Sequence, residues 1–150
     1  MREAQLVTQA DIVSVLRPLG LGAGSAVIVH SSLGSMGCVA GGAEAVVEAL
    51  LETIGPTGHV MMPTFTNNVP RFDPLQEPSQ SGRITEVFWR RSDVRRSWHP
   101  AHSVAVWGSR RHEFVAGHEM MAGLGIGGPM DVMAKTGAYV LLLGVDLTAC

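Results

Sequence analysis

The chain has 150 residues, 46% hydrophobic and only 16% charged, with 11 basic and 13 acidic side chains and a formal charge of −2. That length supports one core, the apolar share argues against disorder, and the charge balance provides no basic field for nucleic acid. Cys38 and Cys150 make no disulfide framework, and neither a secretory h-region nor an apolar run of the roughly 20 residues needed to span a membrane is present, so the expected setting is reducing and cytoplasmic, without a membrane partner.

VTQADIVSVLRPLGLGAG sets Thr8 ahead of Asp11 as a capping box, with Asp in place of the usual Glu or Gln. Ile12, Val15, Leu16 and Leu19 follow at helical spacing, and Pro18 and Gly20 close a short amphipathic helix. SAVIVHSS is a non-alternating, β-branched run, the pattern of a strand buried on both faces. A glycine-rich turn then precedes a helix whose Val46, Val47, Leu50, Leu51 and Ile54 share one face, stopped at Gly55-Pro56. HVMMPTFT is a second buried strand, so the pattern predicts a βαβ unit with a right-handed crossover. Residues 67–82 hold three prolines and no periodicity, which reads as a long surface excursion of the kind that often serves function. RITEVFWRR reads as a short helix, SVAVWG as a strand, RRHEFVAGH as helical and AYVLLLGV as a core strand, with Asp146 onward forming the loop at its carboxyl end. In open α/β sheets ligands gather at that end of the strands.

The turn after VIVHSS places Gly34, Gly37, Gly41 and Gly42 ahead of a helix N-terminus. Glycine permits close backbone approach, and first-turn N–H groups present the positive end of the helix dipole, which suits phosphate or pyrophosphate. A tight structural turn reads the same way, and the spacing matches neither G-x-G-x-x-G nor a P-loop. GLGIGG at 123–128 follows no strand and opens no clear helix, so a flexible loop is expected there. No G-x-S-x-G elbow is present, which removes the serine hydrolase of that type. RRSWHPAHSV sets His99 and His102 either side of Pro100, as a metal pair, an acid–base site or a buried corner would. Pro100 breaks the helical geometry that aligns metal pairs and no third ligand lies nearby, so no metal is expected. Arg90, Arg91, Arg95 and Arg96, just upstream, read either as a solvated face or as phosphate contacts. His30, His59, His112 and His118 read as surface or satisfied core groups.

In order and spacing, VHSSLGSMGCVAGGAEAVVEALLETIGPTGHVMMPTFT, FDP, ITEVFWRRSDVRRSWHPAHSVAVWG, GGPM and VLLLGV resemble the aminoglycoside 3-N-acetyltransferase family over nearly the whole chain. The resemblance implies an α/β fold with a central, mainly parallel sheet flanked by helices. It implies acetyl-CoA as cosubstrate and an amine acceptor, an aminoglycoside or, in some members, another amine. Ser31, Ser32, Leu33, Met36 and Gly37 match the family's coenzyme A loop, and His102, Ser103 and Val104 match the segment beside the pantetheine arm. On that basis the histidine pair is a shaped corner of the acyl-CoA pocket, and His102 is the catalytic candidate within these residues. The family's main base belongs to a Thr-x-x-His-x-x-Glu-type segment that would lie beyond Cys150. Residues 1–150 are therefore expected to be the acyl-CoA-binding part of a single larger domain, incomplete at the C-terminus and inactive alone toward aminoglycosides. A non-catalytic coenzyme A-binding remnant and a different phosphate-ligand α/β enzyme are the rival readings, and an oligomer is compatible with all of them.

Overall fold

The computed structural model describes residues 6–67 and 69–149. In chain order it contains β1 (Leu6–Val7), α1 (Gln9–Leu16), β2 (Ala26–Ser31), β3 (Cys38–Val39), α2 (Gly42–Ile54), β4 (His59–Pro63), α3 (Arg83–Trp89), β5 (Val94–Arg96), β6 (Val104–Trp107), α4 (Arg111–Val115), α5 (Pro129–Ala134) and β7 (Tyr139–Leu143). Short 3-10 turns occupy Arg17–Leu19, Leu33–Met36, His118–Met120 and Leu147–Ala149. No helix among the described residues is long and apolar enough to cross a membrane.

The main sheet has the order β5-β6-β4-β2-β7. β2 runs parallel to β4 and to β7, whereas β6 lies antiparallel to both β4 and β5. The β2–α2–β4 unit is the one the apolar runs predict. Alternate strand residues face two cores. Val27, Val29, Val60 and Met62 pack with α1, α2 and α3, while Ile28, Met61, Val104 and Val106 meet Phe114 of α4 and Met133 of α5. Burial on both faces explains why these strands read as continuous apolar runs.

Local chemistry fixes the ends of the helices. Thr8 N–H donates to Asp11 Oδ2 at 2.9 Å, and Asp11 N–H returns a bond to Thr8 Oγ1 at 3.2 Å, so aspartate completes the box. The buried stripe of α1 is Ile12, Val13 and Leu16; Val15 and Leu19, expected on it, are 62% and 59% exposed. The face that meets α2 is thus rotated toward Val13.

Three features depart from the sequence reading. The glycine-rich stretch is not one turn into α2. Gly34 belongs to the 3-10 turn after β2, and Gly41 and Gly42 open α2 only after β3 has paired with β1. GLGIGG does lead into a helix, α5, with Pro129 in its first turn and Gly127 N–H held by Asp131 Oδ2 at 2.8 Å. β7, read as a core strand, bonds β2 alone among the described strands and leaves Tyr139 and Val140 exposed.

Candidate active site at the carboxyl edge of the sheet

Because β6 is antiparallel to β4, its first residues lie beside the last residues of β4, with Val104 opposite Pro63. The carboxyl ends of β2, β4, β5 and β7 and the start of β6 therefore share one edge. From β2 the chain crosses through α2 to β4 on one side, while β7 lies on the other. This is the topological switch point at which open α/β sheets bind ligands.

At that point β2 ends in Ser31, and Ser32 N–H donates to Leu143 O at 2.9 Å, tying the loop to β7. Leu33 and Met36 sit in the 3-10 turn against the α1/α2 core, and Ser32 and Ser35 hydroxyls lie 3.1 Å apart. Gly37 at φ 79° then turns the chain into β3. Gly144 is where β7 passes the loop: it sits at φ 73°, and a Cβ there would lie 2.8 Å from Ser32 O and 3.3 Å from Met36 Cγ. Glycine is thus required on the strand as well as in the loop. Ser31, Ser32, Leu33, Met36 and Gly37 thus lie in one stretch from the end of β2 to the start of β3.

The second segment is built differently. Ser103 and Val104 are fully buried. Ser103 Oγ donates to Thr64 O at 2.7 Å and accepts from Arg96 Nε at 3.1 Å, and Val104 N–H donates to Ser97 Oγ at 2.9 Å. Both residues hold the framework behind the edge, and His102 is the one of the three that reaches the open face. Its half-buried ring stands edge-on to Phe65, centroids 5.2 Å apart, beside a shallow depression lined by Thr66, Asn67 and Ala101.

His99 and His102 meet across the turn at Pro100, ring centroids 5.5 Å apart. His99 Nδ1 accepts from Ala101 N–H at 3.2 Å and from His102 N–H at 2.9 Å, closing the turn around Pro100. His118 is completely buried, its ring centroid 4.9 Å from that of His99. Gly123 O can only accept, so His118 Nε2 carries the proton toward it at 3.0 Å, and Nδ1 accepts from the Ser97 hydroxyl at 2.8 Å. Burial, and then the neighbouring charge of His99 and His102, hold His118 below the ordinary imidazole range despite the bond to Gly123. Burial does the same to His99, reinforced by His102. Among the described residues no group of three or more His, Cys, Asp or Glu side chains is placed to hold a metal ion.

The arginines also separate. Arg90 pairs with Glu86, and Arg91 with Glu48 and Asp93. Arg95 is exposed, whereas Arg96 is only 5% exposed. Its guanidinium donates to Thr64 Oγ1, Ser103 Oγ, Thr64 O and Glu77 O, between the rings of Trp89 and Phe72 at 4.6 and 5.1 Å. Desolvation lowers its pKa to about 10, so it stays charged at neutral pH. Arg96 is therefore neither a solvated face nor a phosphate contact, but the pin that holds the 67–82 excursion to the sheet.

Sequence reasoning missed Phe65, Ser81 and Thr85, which with Ser31 line a cavity of about 170 Å³ below the loop. The PTFT run following β4 was visible in the sequence, but Ser81 and Thr85 reach the edge only through the return of the excursion into α3.

The aminoglycoside 3-N-acetyltransferase family model matches residues 28–150. The chain is 32% identical over 164 residues to the SPbeta prophage-derived aminoglycoside N(3')-acetyltransferase-like protein YokD of Bacillus subtilis (strain 168), covering 93% of this chain and 60% of that protein. It superposes on AAC-VIa bound to sisomicin with a TM-score of 0.90 at 28% identity, covering 97% of this chain and 62% of that one. The AAC-IIIb binary complex with CoASH gives 0.85 at 26% identity, with coverages of 97% and 63%. The chain thus spans about 60% of the length of the curated relatives it matches. With matching blocks, fold and family model in agreement, the chain belongs to the aminoglycoside 3-N-acetyltransferase family.

Proposed function

We propose that these residues form the acetyl-CoA-binding part of an N-acetyltransferase domain whose acceptor is an amine of an aminoglycoside. The observation that carries the reading is the Ser31–Gly37 loop, folded back on β7 at the switch point of the sheet, where Gly144 leaves room for it. Support comes from the family and from a superposable relative solved with CoASH; relatives solved with sisomicin and with a gentamicin support the acceptor. An acetyl-CoA-dependent reaction fits a cytoplasmic setting.

In the reaction the amine attacks the thioester carbonyl, the thiolate leaves, and the amine's proton must pass to a base. The loop's contribution is to hold the thioester at the edge of the sheet; donors aimed at the carbonyl oxygen would stabilise the charge it develops. His102 is a half-buried imidazole beside the open depression at this edge, and it is the proton acceptor we assign among these residues. No metal takes part in this scheme.

The test is calorimetric titration of the chain with CoASH. Saturable one-to-one binding is expected, weakened at least ten-fold by Gly37→Val, a β-branched residue at a left-handed φ. Absence of binding to the unaltered chain, or equal affinity in the variant, refutes the assignment.

A further inference from the structure

His118 takes no part in the reaction scheme, yet its ring is completely buried and both of its nitrogens are bonded. On one side it is tied to the sheet. Ser97, itself fully buried, donates its N–H to Val104 O at 2.8 Å and accepts from Val104 N–H at 2.9 Å, and its hydroxyl donates to His118 Nδ1. On the other side Nε2–H holds Gly123 O. The loop around Gly123 has little else to anchor it. Met120, Leu124 and Ile126 are 85%, 60% and 93% exposed, so their burial contributes nothing. The other hydrogen bonds of the loop are local, Met121 N–H to His118 O and Gly125 N–H to Ala122 O, or lead to α5 through Gly127 and Asp131. The bond from His118 therefore fixes where Gly123 stands.

Gly123 in turn seats His102. A Cβ at position 123 would lie 2.5 Å from His102 Nδ1, 2.6 Å from its Cβ and 2.7 Å from its Cγ. The bare backbone thus packs against the Cγ–Nδ1 side of the ring, in a space that any Cβ would fill. Nε2 stands across the ring from that bond. Among the described residues neither ring nitrogen of His102 is hydrogen-bonded, so packing alone orients the imidazole, between Gly123, the edge-on ring of Phe65 and the tilted ring of His99. We propose that His118 is a positioning residue for His102: through Gly123 O it holds the loop against the Cγ–Nδ1 side of the ring and keeps Nε2 toward the depression beside Thr66, Asn67 and Ala101. The inference rests on the assignment of His102 as proton acceptor. A base in proton transfer is commonly oriented by a third group, and here a carbonyl held by a buried histidine does so without bonding to the base itself.

Two readouts on the chain test this: the nuclear Overhauser contact between Gly123 Hα and His102 Hβ, and the rate at which diethyl pyrocarbonate modifies His102 relative to the exposed His112. The unaltered chain should show the contact and a measurable rate. His118→Leu should lose the contact and raise the relative rate roughly three- to ten-fold, the weight of one hydrogen bond in loop opening. His118→Gln, whose amide can donate to Gly123 O, should restore most of both. Gly123→Ala leaves the bonds of His118 in place but displaces the ring, so the relative rate should change there too. If His118→Leu fails to fold, as circular dichroism will show, Gly123→Ala decides by itself. Folded Leu and Ala variants in which His102 keeps its relative rate would overturn the positioning role and leave the acceptor assignment standing. A His102 that diethyl pyrocarbonate does not modify in the unaltered chain would overturn the acceptor assignment, and the positioning role with it.

Discussion

Replacing Arg96 by Met keeps the length of the side chain and removes the buried guanidinium. Not every partner is orphaned by the change. Thr64 O still accepts from Ser103 Oγ at 2.7 Å, and the Thr64 and Ser103 hydroxyls still face each other at 2.8 Å. Glu77 O loses its guanidinium donor, and Trp89 and Phe72 lose the cation between them. A bond from a charged donor is worth about 1.5–3 kcal/mol net, and each cation–π contact about 0.5–2 kcal/mol. Relief from desolvating the charge, the same effect that lowers its pKa to about 10, offsets part of this. The balance is a destabilisation of roughly 2–4 kcal/mol, or about 5–15 °C in Tm for a chain of this size. The loss should be local as well as global. Arg71 is exposed within the excursion, so trypsin should cut there sooner in the variant. Thermal unfolding by circular dichroism and timed tryptic digestion measure both effects. Arg96→Lys should recover only part, since an ammonium cannot replace the planar fork. A Met variant with unaltered Tm and the same cleavage rate at Arg71 would refute the role of the pin.

Gly144→Ala should weaken CoASH binding and lower stability by about 1–3 kcal/mol, because its Cβ would meet Ser32 O at 2.8 Å on a left-handed backbone; unchanged affinity and urea midpoint would show that the loop can move aside freely. Burial holds His59, His99 and His118 below the ordinary imidazole value, so the unfolded chain binds more protons below about pH 6.5 and stability should fall on acidification through that region. Urea midpoints between pH 8 and pH 5 test the sign, and a midpoint that rises as pH falls contradicts it. His118→Phe should flatten that slope, since both ring nitrogens of His118 are occupied in the neutral form.

The elements legible in the sequence are those whose burial matches hydrophobicity along a single stretch. β2, α2 and β4 follow from their apolar runs, and the start of α1 from Thr8 and Asp11. β5 was illegible because its alternation is Val94 in, Arg95 out, Arg96 in, and the inward arginine is stable only through acceptors brought from Thr64, Glu77 and Ser103. α5 was hidden behind glycines, although Pro129 and Asp131 are ordinary helix-starting residues. At the site, the loop from Ser31 to Gly37 was visible as a block, whereas the chamber below it joins residues from four separate segments and leaves no local pattern.

The antiparallel half of the sheet explains why those segments converge. In an all-parallel sheet the start of β6 would lie at the far end from the Ser31 loop, and the His99–Val104 corner could not border the same ligand. Reversing β6 against β4 brings Ser103 to Thr64 and His102 to Phe65, while Phe65 also lines the Ser31 chamber. Phe65 is thus the residue shared by both halves: its ring meets His102, and its backbone N–H is held by Ser81 at the foot of α3. Arg96 fixes Thr64, the residue before it, and through Glu77 the excursion that delivers Ser81. A buried charge remote from any solvent-facing ligand can therefore set the position of both walls of the chamber.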